Sequence, residues 1–88
     1  MLSGRVKAIA SEIRGTLKEN GVPYGYVSVT CHELKTDNGI VEEIRIKLIK
    51  AGEHILPNGA YLLNFICDYH KVLSDKYRTN KLFIGLSL

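Results

Sequence analysis

A chain of 88 residues with 45% hydrophobic and 24% charged side chains makes one domain with a small core shared by every element, and this balance excludes disorder as its main state. The formal charge of +3, twelve Lys and Arg against nine Asp and Glu, is compatible with nucleic acid without specifying it. Two cysteines are too few for a disulfide framework, no basic-then-apolar leader opens the chain, and no apolar run approaches the roughly 20 residues of a spanning helix, so the expectation is a cytoplasmic protein with reduced thiols and no membrane contact.

Leu2, Val6, Ile9, Ile13 and Leu17 recur at three- and four-residue spacing, which lays them on one face of a first helix. Ser3 is its candidate N-cap, and Asn20-Gly21 with Pro23 beyond is its stop. Gly15 weakens the last turns by about 1 kcal/mol relative to alanine, a penalty that a close neighbouring backbone would explain.

In YGYVSVTCHEL, Val27, Val29 and Cys31 alternate with Ser28, Thr30 and His32, the pattern of a half-buried strand. Thr36-Asp37-Asn38-Gly39 is turn chemistry, and in IVEEIRIKLIK the residues Ile44, Ile46 and Leu48 again fall on one side, so the two strands form a hairpin. Parity sets the register: Cys31 opposite Ile44 puts Val29 opposite Ile46 and Val27 opposite Leu48, with every apolar side chain on one face. The other face then pairs His32 with Glu43, Thr30 with Arg45, Ser28 with Lys47 and Tyr26 with Ile49. Glu33 and Glu42 share the inward parity near the tip and are expected to project past the core into water.

The connection AGEHILPNG is punctuated by Gly52, Pro57 and Gly59, and Asn58 is the candidate N-cap of a second helix. Leu62, Phe65, Ile66, Tyr69, Leu73 and Tyr77 form its apolar stripe, Lys71, Lys76 and Arg78 gather at its C-terminal end, and Thr79-Asn80 ends it. KLFIGLSL then alternates Leu82, Ile84, Leu86 and Leu88 against Phe83, Gly85 and Ser87 as a third strand.

The order α-β-β-α-β, with one apolar sheet face and two one-sided helices, predicts an α+β two-layer sandwich with both helices on the same face. The second helix is a crossover, so the third strand runs parallel to the second. Right-handed placement beside the first strand favours the order 2-1-3, with 1-2-3 as the alternative. Either order leaves two open edges, and pairing with a second copy into a homodimer is the expected outcome.

The stretch CHELKTDNGIVEEIRIK invites a reading as chemistry. Cys31, His32, Cys67 and His70 are the ligand types of a zinc site, but neighbours on a strand point to opposite faces, so Cys31 and His32 cannot reach one ion. The bland reading, two core cysteines and two solvated histidines, is the expected one. Glu43-Ile44-Arg45 with Lys47 has the outline of an E-x-K nuclease strand, except that an arginine, permanently charged and no base, stands where the lysine belongs. Both thiols lie on core faces, where they behave as inert hydrophobes. No P-loop, G-x-G-x-x-G or G-x-S-x-G sequence is present. No catalytic residue, metal or cofactor is expected.

Candidate contact residues remain. The first helix offers Lys7, Arg14 and Lys18, and the outer sheet face offers Tyr26, Ser28, Thr30, His32, Glu43, Arg45 and Lys47. A K-homology domain of the second type has a comparable element order, but its G-x-x-G phosphate clamp is missing here, as is the RNP aromatic signature.

From Ile9 to Leu48, a helix ending at Gly21, a Tyr-Val-Ser-Val strand, the turn TDNG and a charged second strand resemble the small α-β-β-α-β domains of phage and conjugative-element proteins, such as some large-polyvalent-protein-associated domains. The resemblance implies a mobile-element accessory factor that binds a host protein, and carries over no catalytic residue. The expected function is a non-enzymatic binding module with a protein partner, including itself through an open strand edge. A basic nucleic-acid-binding domain is the alternative, and a metal-dependent nuclease the least favoured one.

Overall fold

Ser3 starts the first helix as its sequence suggests: extended at φ −72° and ψ 157°, it accepts the Val6 N–H on its hydroxyl. The structure, a computed structural model, describes residues 3–50, 52–78 and 82–88, and Leu2 of the expected helix face lies outside them. Helix α1 runs Gly4–Glu19 and buries Val6, Ile9, Ala10, Ile13 and Leu17. Its C-terminus closes as a Schellman motif, with Val22 N–H on the Leu17 carbonyl and Gly21 N–H on that of Lys18, both at 3.0 Å. Gly21 takes φ +81° there, and a Cβ on it would meet Pro57 Cδ at 2.5 Å, so this glycine satisfies both the turn and a close approach. Gly15 has no such neighbour among the described residues, since a Cβ there would touch nothing within 4 Å. The expected close backbone is absent, and Gly15 is simply a weak position on an exposed helix face.

Strands β1 (Val27–Thr36) and β2 (Gly39–Leu48) pair antiparallel in the register that parity requires, Val27 with Leu48, Val29 with Ile46 and Cys31 with Ile44. The tip is tight: Gly39 adopts φ +112°, and Thr36 Oγ1 donates to the Gly39 carbonyl at 2.7 Å while accepting the Asn38 N–H.

Helix α2 (Leu62–Tyr77) follows, then β3 (Leu82–Ser87), which runs parallel to β2 with Ile44 beside Ile84 and Ile46 beside Leu86. The sheet order is β1-β2-β3, which corrects the favoured order 2-1-3. Two physical reasons explain it. Helix α1 packs over β1 and β2, so α2 has room only over β2 and β3. The central position also goes to the strand with the most completely buried side chains: Ile44 and Ile46 are 0% exposed, whereas the one buried side chain of β1, Val29, keeps 8% exposure.

Both helices cover one sheet face, and a single core gathers Val6 and Ile13 of α1, Ile44 and Ile46 of β2, and Leu62 and Ile66 of α2. Leu56, from the connection, completes it at 1% exposure. The start of α2 departs from expectation. Asn58 is not its N-cap; its Oδ1 accepts the Ala60 N–H inside a loop, and the position before the helix is held by Tyr61 without a side-chain cap. The first helical amides are met by backbone instead, Leu62 N–H on the His54 carbonyl at 2.7 Å and Leu63 N–H on that of Gly52 at 2.9 Å. Thr79-Asn80, the expected stop, lies outside the described residues.

The two glycines of α1 predict opposite responses. Gly15→Ala raises the unfolding free energy by roughly 0.5–1 kcal/mol, while Gly21→Ala lowers it by roughly 1–3 kcal/mol through positive φ and the Pro57 contact. Urea melts of both variants check this, and a stabilised Gly21→Ala would contradict it.

Candidate functional site

The candidates named from the sequence fall on two separate layers. Ser28, Thr30 and His32 on β1 face away from the helices beside Glu43, Arg45 and Lys47 on β2, paired as parity predicts. Strand β3 brings Phe83 and Gly85 alongside Glu43 and Arg45. This row is engaged with itself. Arg45 Nη2 lies 2.7 Å from Glu43 Oε1, and the Glu43 side chain is only 14% exposed, its carboxylate lying over Gly85, where a Cβ would come within 3.5 Å. Thr30 Oγ1 and His32 Nε2 are 2.9 Å apart. The charge that would attract a polyanion is therefore partly neutralised within the strand.

Tyr26 is not on that platform. Its ring meets His54 edge-on at 5.4 Å, Lys50 Nζ sits 5.1 Å from its centroid, and the side chain packs half-buried against the core. On the other layer Lys7, Arg14 and Lys18 line the exposed side of α1, with the sheet between them and the outer row.

Arg14 has a task of its own. The Ile49 N–H bonds to the Tyr26 carbonyl, so alternation along an antiparallel ladder turns the backbone groups of Ser28 and Thr30 toward β2, and those of Val27, Val29 and Cys31 outward. Arg14 Nη2 reaches over this edge and donates to the Val29 carbonyl at 2.8 Å. At the opposite edge His70 Nε2 bonds to the Ile84 carbonyl at 2.7 Å, with Ser74 Oγ at 3.3 Å from the same nitrogen. Each edge expected to be open thus carries a helix side chain on one of its outward carbonyls.

The zinc-ligand types are dispersed by the same contacts. His70 is held on β3 rather than solvated, and Cys31 and Cys67 are free and half-buried rather than fully buried. Among the described residues no three His, Cys, Asp or Glu side chains come together as a metal-holding group.

Glu42, expected in water, is instead a structural acceptor. Its Oε2 takes the Ser3 backbone N–H at 2.9 Å, and its carboxylate takes the Ser3 hydroxyl at 2.9 and 3.0 Å. Ser3 therefore links the start of α1 to β2 while capping the helix. The Ser3 N–H, first, holds the Glu42 carboxyl below its ordinary range against an opposing push from burial, and the Ser3 hydroxyl and Arg5 add to the lowering.

The feature that no sequence pattern announced is a half-open groove of about 830 Å³ between the C-terminal half of α1, the loop that follows it and the start of β1. Leu17, Val22, Pro23, Val27, Val29 and Ile49 make it largely apolar, and among the described residues Arg14 and Lys18 are its only charged lining. Tyr24 lines it while remaining fully exposed. Exposure of an aromatic in the loop Val22-Pro23-Tyr24-Gly25, where Gly25 takes φ +86°, was the one available signal.

No family model, no curated protein and no solved structure matches this chain. No helix among the described residues is long and apolar enough to cross a membrane.

Two predictions follow from the contacts of Glu42 and Arg14. Because the Glu42 pKa is lower folded than unfolded, its contribution is present above the unfolded value of 4.5 and is lost as pH falls through the folded one. Glu42→Gln should therefore flatten the fall of urea-melt stability between about pH 5 and pH 3, and an unchanged slope would contradict the contact. Arg14→Ala bares the Val29 carbonyl, so sedimentation at rising concentration should detect more self-association than in the parent chain; equal association would argue that Arg14 guards nothing.

Proposed function

We propose that this chain is a non-catalytic protein-binding module whose contact site is the groove between α1 and β1. The observation that carries the reading is the coincidence, in one place, of an apolar lining, two cations and a stretch of strand edge at Val27 whose backbone groups face outward. Support also comes from the side chains that first suggested chemistry. Glu43 and Arg45 bond to each other along β2, His32 to Thr30 along β1, and His70 to the Ile84 carbonyl of β3. The resemblance of residues 9–48 to phage and conjugative-element domains supports an accessory role with a host protein as partner, and the free thiols of Cys31 and Cys67 suit a reducing cytoplasm.

Nucleic-acid contact is the second reading, favoured by Lys7, Lys18 and Lys47, which are exposed. Lys47 lies on the opposite layer from the other two, so the three do not form one track.

A photo-crosslinking residue at the position of Tyr24, compared with one at Thr36 on the hairpin tip, separates these readings in cells that carry the chain. Protein adducts from position 24 and none from position 36 are expected. Adducts at 24 that yield to nuclease would replace the first reading with the second, and no adduct at 24 would overturn the groove as a contact site.

A further inference from the structure

Resting on that protein-binding reading, we infer that the groove takes an extended acidic peptide segment with one large apolar side chain, added as a short strand against the start of β1. The edge sets the conformation of the occupant. Val27 and Val29 present their backbone groups outward, and the Val29 carbonyl is already bonded to Arg14, so an added strand can pair at Val27 and must stop at Arg14. That leaves room for pairing over roughly 7 Å, two residues at strand rise. Only an extended chain matches this repeat; a helix keeps its own backbone groups satisfied internally.

Charge decides the sign of the occupant. Among the described residues the lining holds Arg14 and Lys18 and no acidic side chain. A guanidinium has five N–H donors, so Arg14 can donate to a carboxylate while it holds Val29, and Lys18 lies one helical turn further along the same groove. The apolar walls of Leu17, Val22 and Val27 then receive an aliphatic or aromatic side chain, which supplies buried area that charge alone would not.

A second copy fits poorly. Two β1 edges paired about a two-fold axis would bring one Arg14 and Lys18 set against the other, like charge against like.

The test uses the whole chain, labelled with nitrogen-15, and short synthetic peptides in which valine and threonine alternate around a central phenylalanine, with glutamates at one end. Two controls accompany them: the same peptides with lysines for glutamates, and the glutamate peptides N-methylated on the backbone amides that would pair. Amide shifts at Leu17, Val22, Val27 and Ser28 are expected with the glutamate peptides, with affinity roughly tenfold weaker for either control. Lys18→Glu, at an exposed helix position that leaves the fold intact, should reverse the preference between glutamate and lysine peptides.

Equal shifts from lysine peptides would overturn the acidic occupant, and equal binding of N-methylated peptides would overturn strand addition, while both leave the groove as a contact site. Shifts that depend on protein concentration without any peptide would replace the peptide by a second copy. If no peptide shifts the groove while adducts at position 24 persist, the occupant is wrong and the protein-binding reading stands; if the adducts are absent too, both fall.

Discussion

The pairing of Val29 with Ile46 and of Cys31 with Ile44 is the constraint on which the remaining structure depends. A slip of one residue would turn Ile44 and Ile46, now completely buried, to the solvent face and lose roughly 1.5–3 kcal/mol of burial for each. The same register puts Glu42 where Ser3 can reach it and turns the Val29 carbonyl outward to meet Arg14. Helix α1 is thereby tied to the hairpin at two points, by its capping serine near one end and by Arg14 along its length. The groove exists because α1 then ends, through Gly21, above the start of β1.

The parts of this fold that were legible in the sequence are those governed by short periods. Alternation in VSVTC and EEIRIKL determines the hairpin register, the spacing from Val6 to Leu17 determines the buried face of α1, and Ser3 and Gly21 mark its ends. What was not legible depends on how elements that are distant in sequence meet. The strand order follows from α1 already occupying the space over β1, which no local pattern encodes. Leu56 reads as a loop residue and becomes core, and α2 starts without a side-chain cap because the carbonyls of Gly52 and His54 fold back onto its first amides. Asn58, the obvious cap by residue type, serves the loop instead.

The candidate site shows the same division. Arg14 and Lys18 were visible as cations on a helix face, but the sequence placed them in water, because the carbonyl that Arg14 takes is defined only by the ladder phase of a neighbouring strand. Glu43, Arg45, His32 and His70 are residue types that suggest catalysis or metal, yet the first three are engaged with neighbours on their own strands and His70 holds the edge of β3. The groove walls come from four separate segments, and of these only the fully exposed Tyr24 stands out against its apolar neighbours. The fold, not a motif, makes the binding surface.

Cross-strand Hα–Hα nuclear Overhauser contacts test the hairpin phase most directly, because only non-hydrogen-bonded antiparallel pairs bring these protons close. The account predicts such contacts between Val27 and Leu48, Val29 and Ile46, and Cys31 and Ile44. Contacts joining Val29 to Arg45 or to Lys47 would contradict the register, and with it the edge that Arg14 covers and the groove beside it.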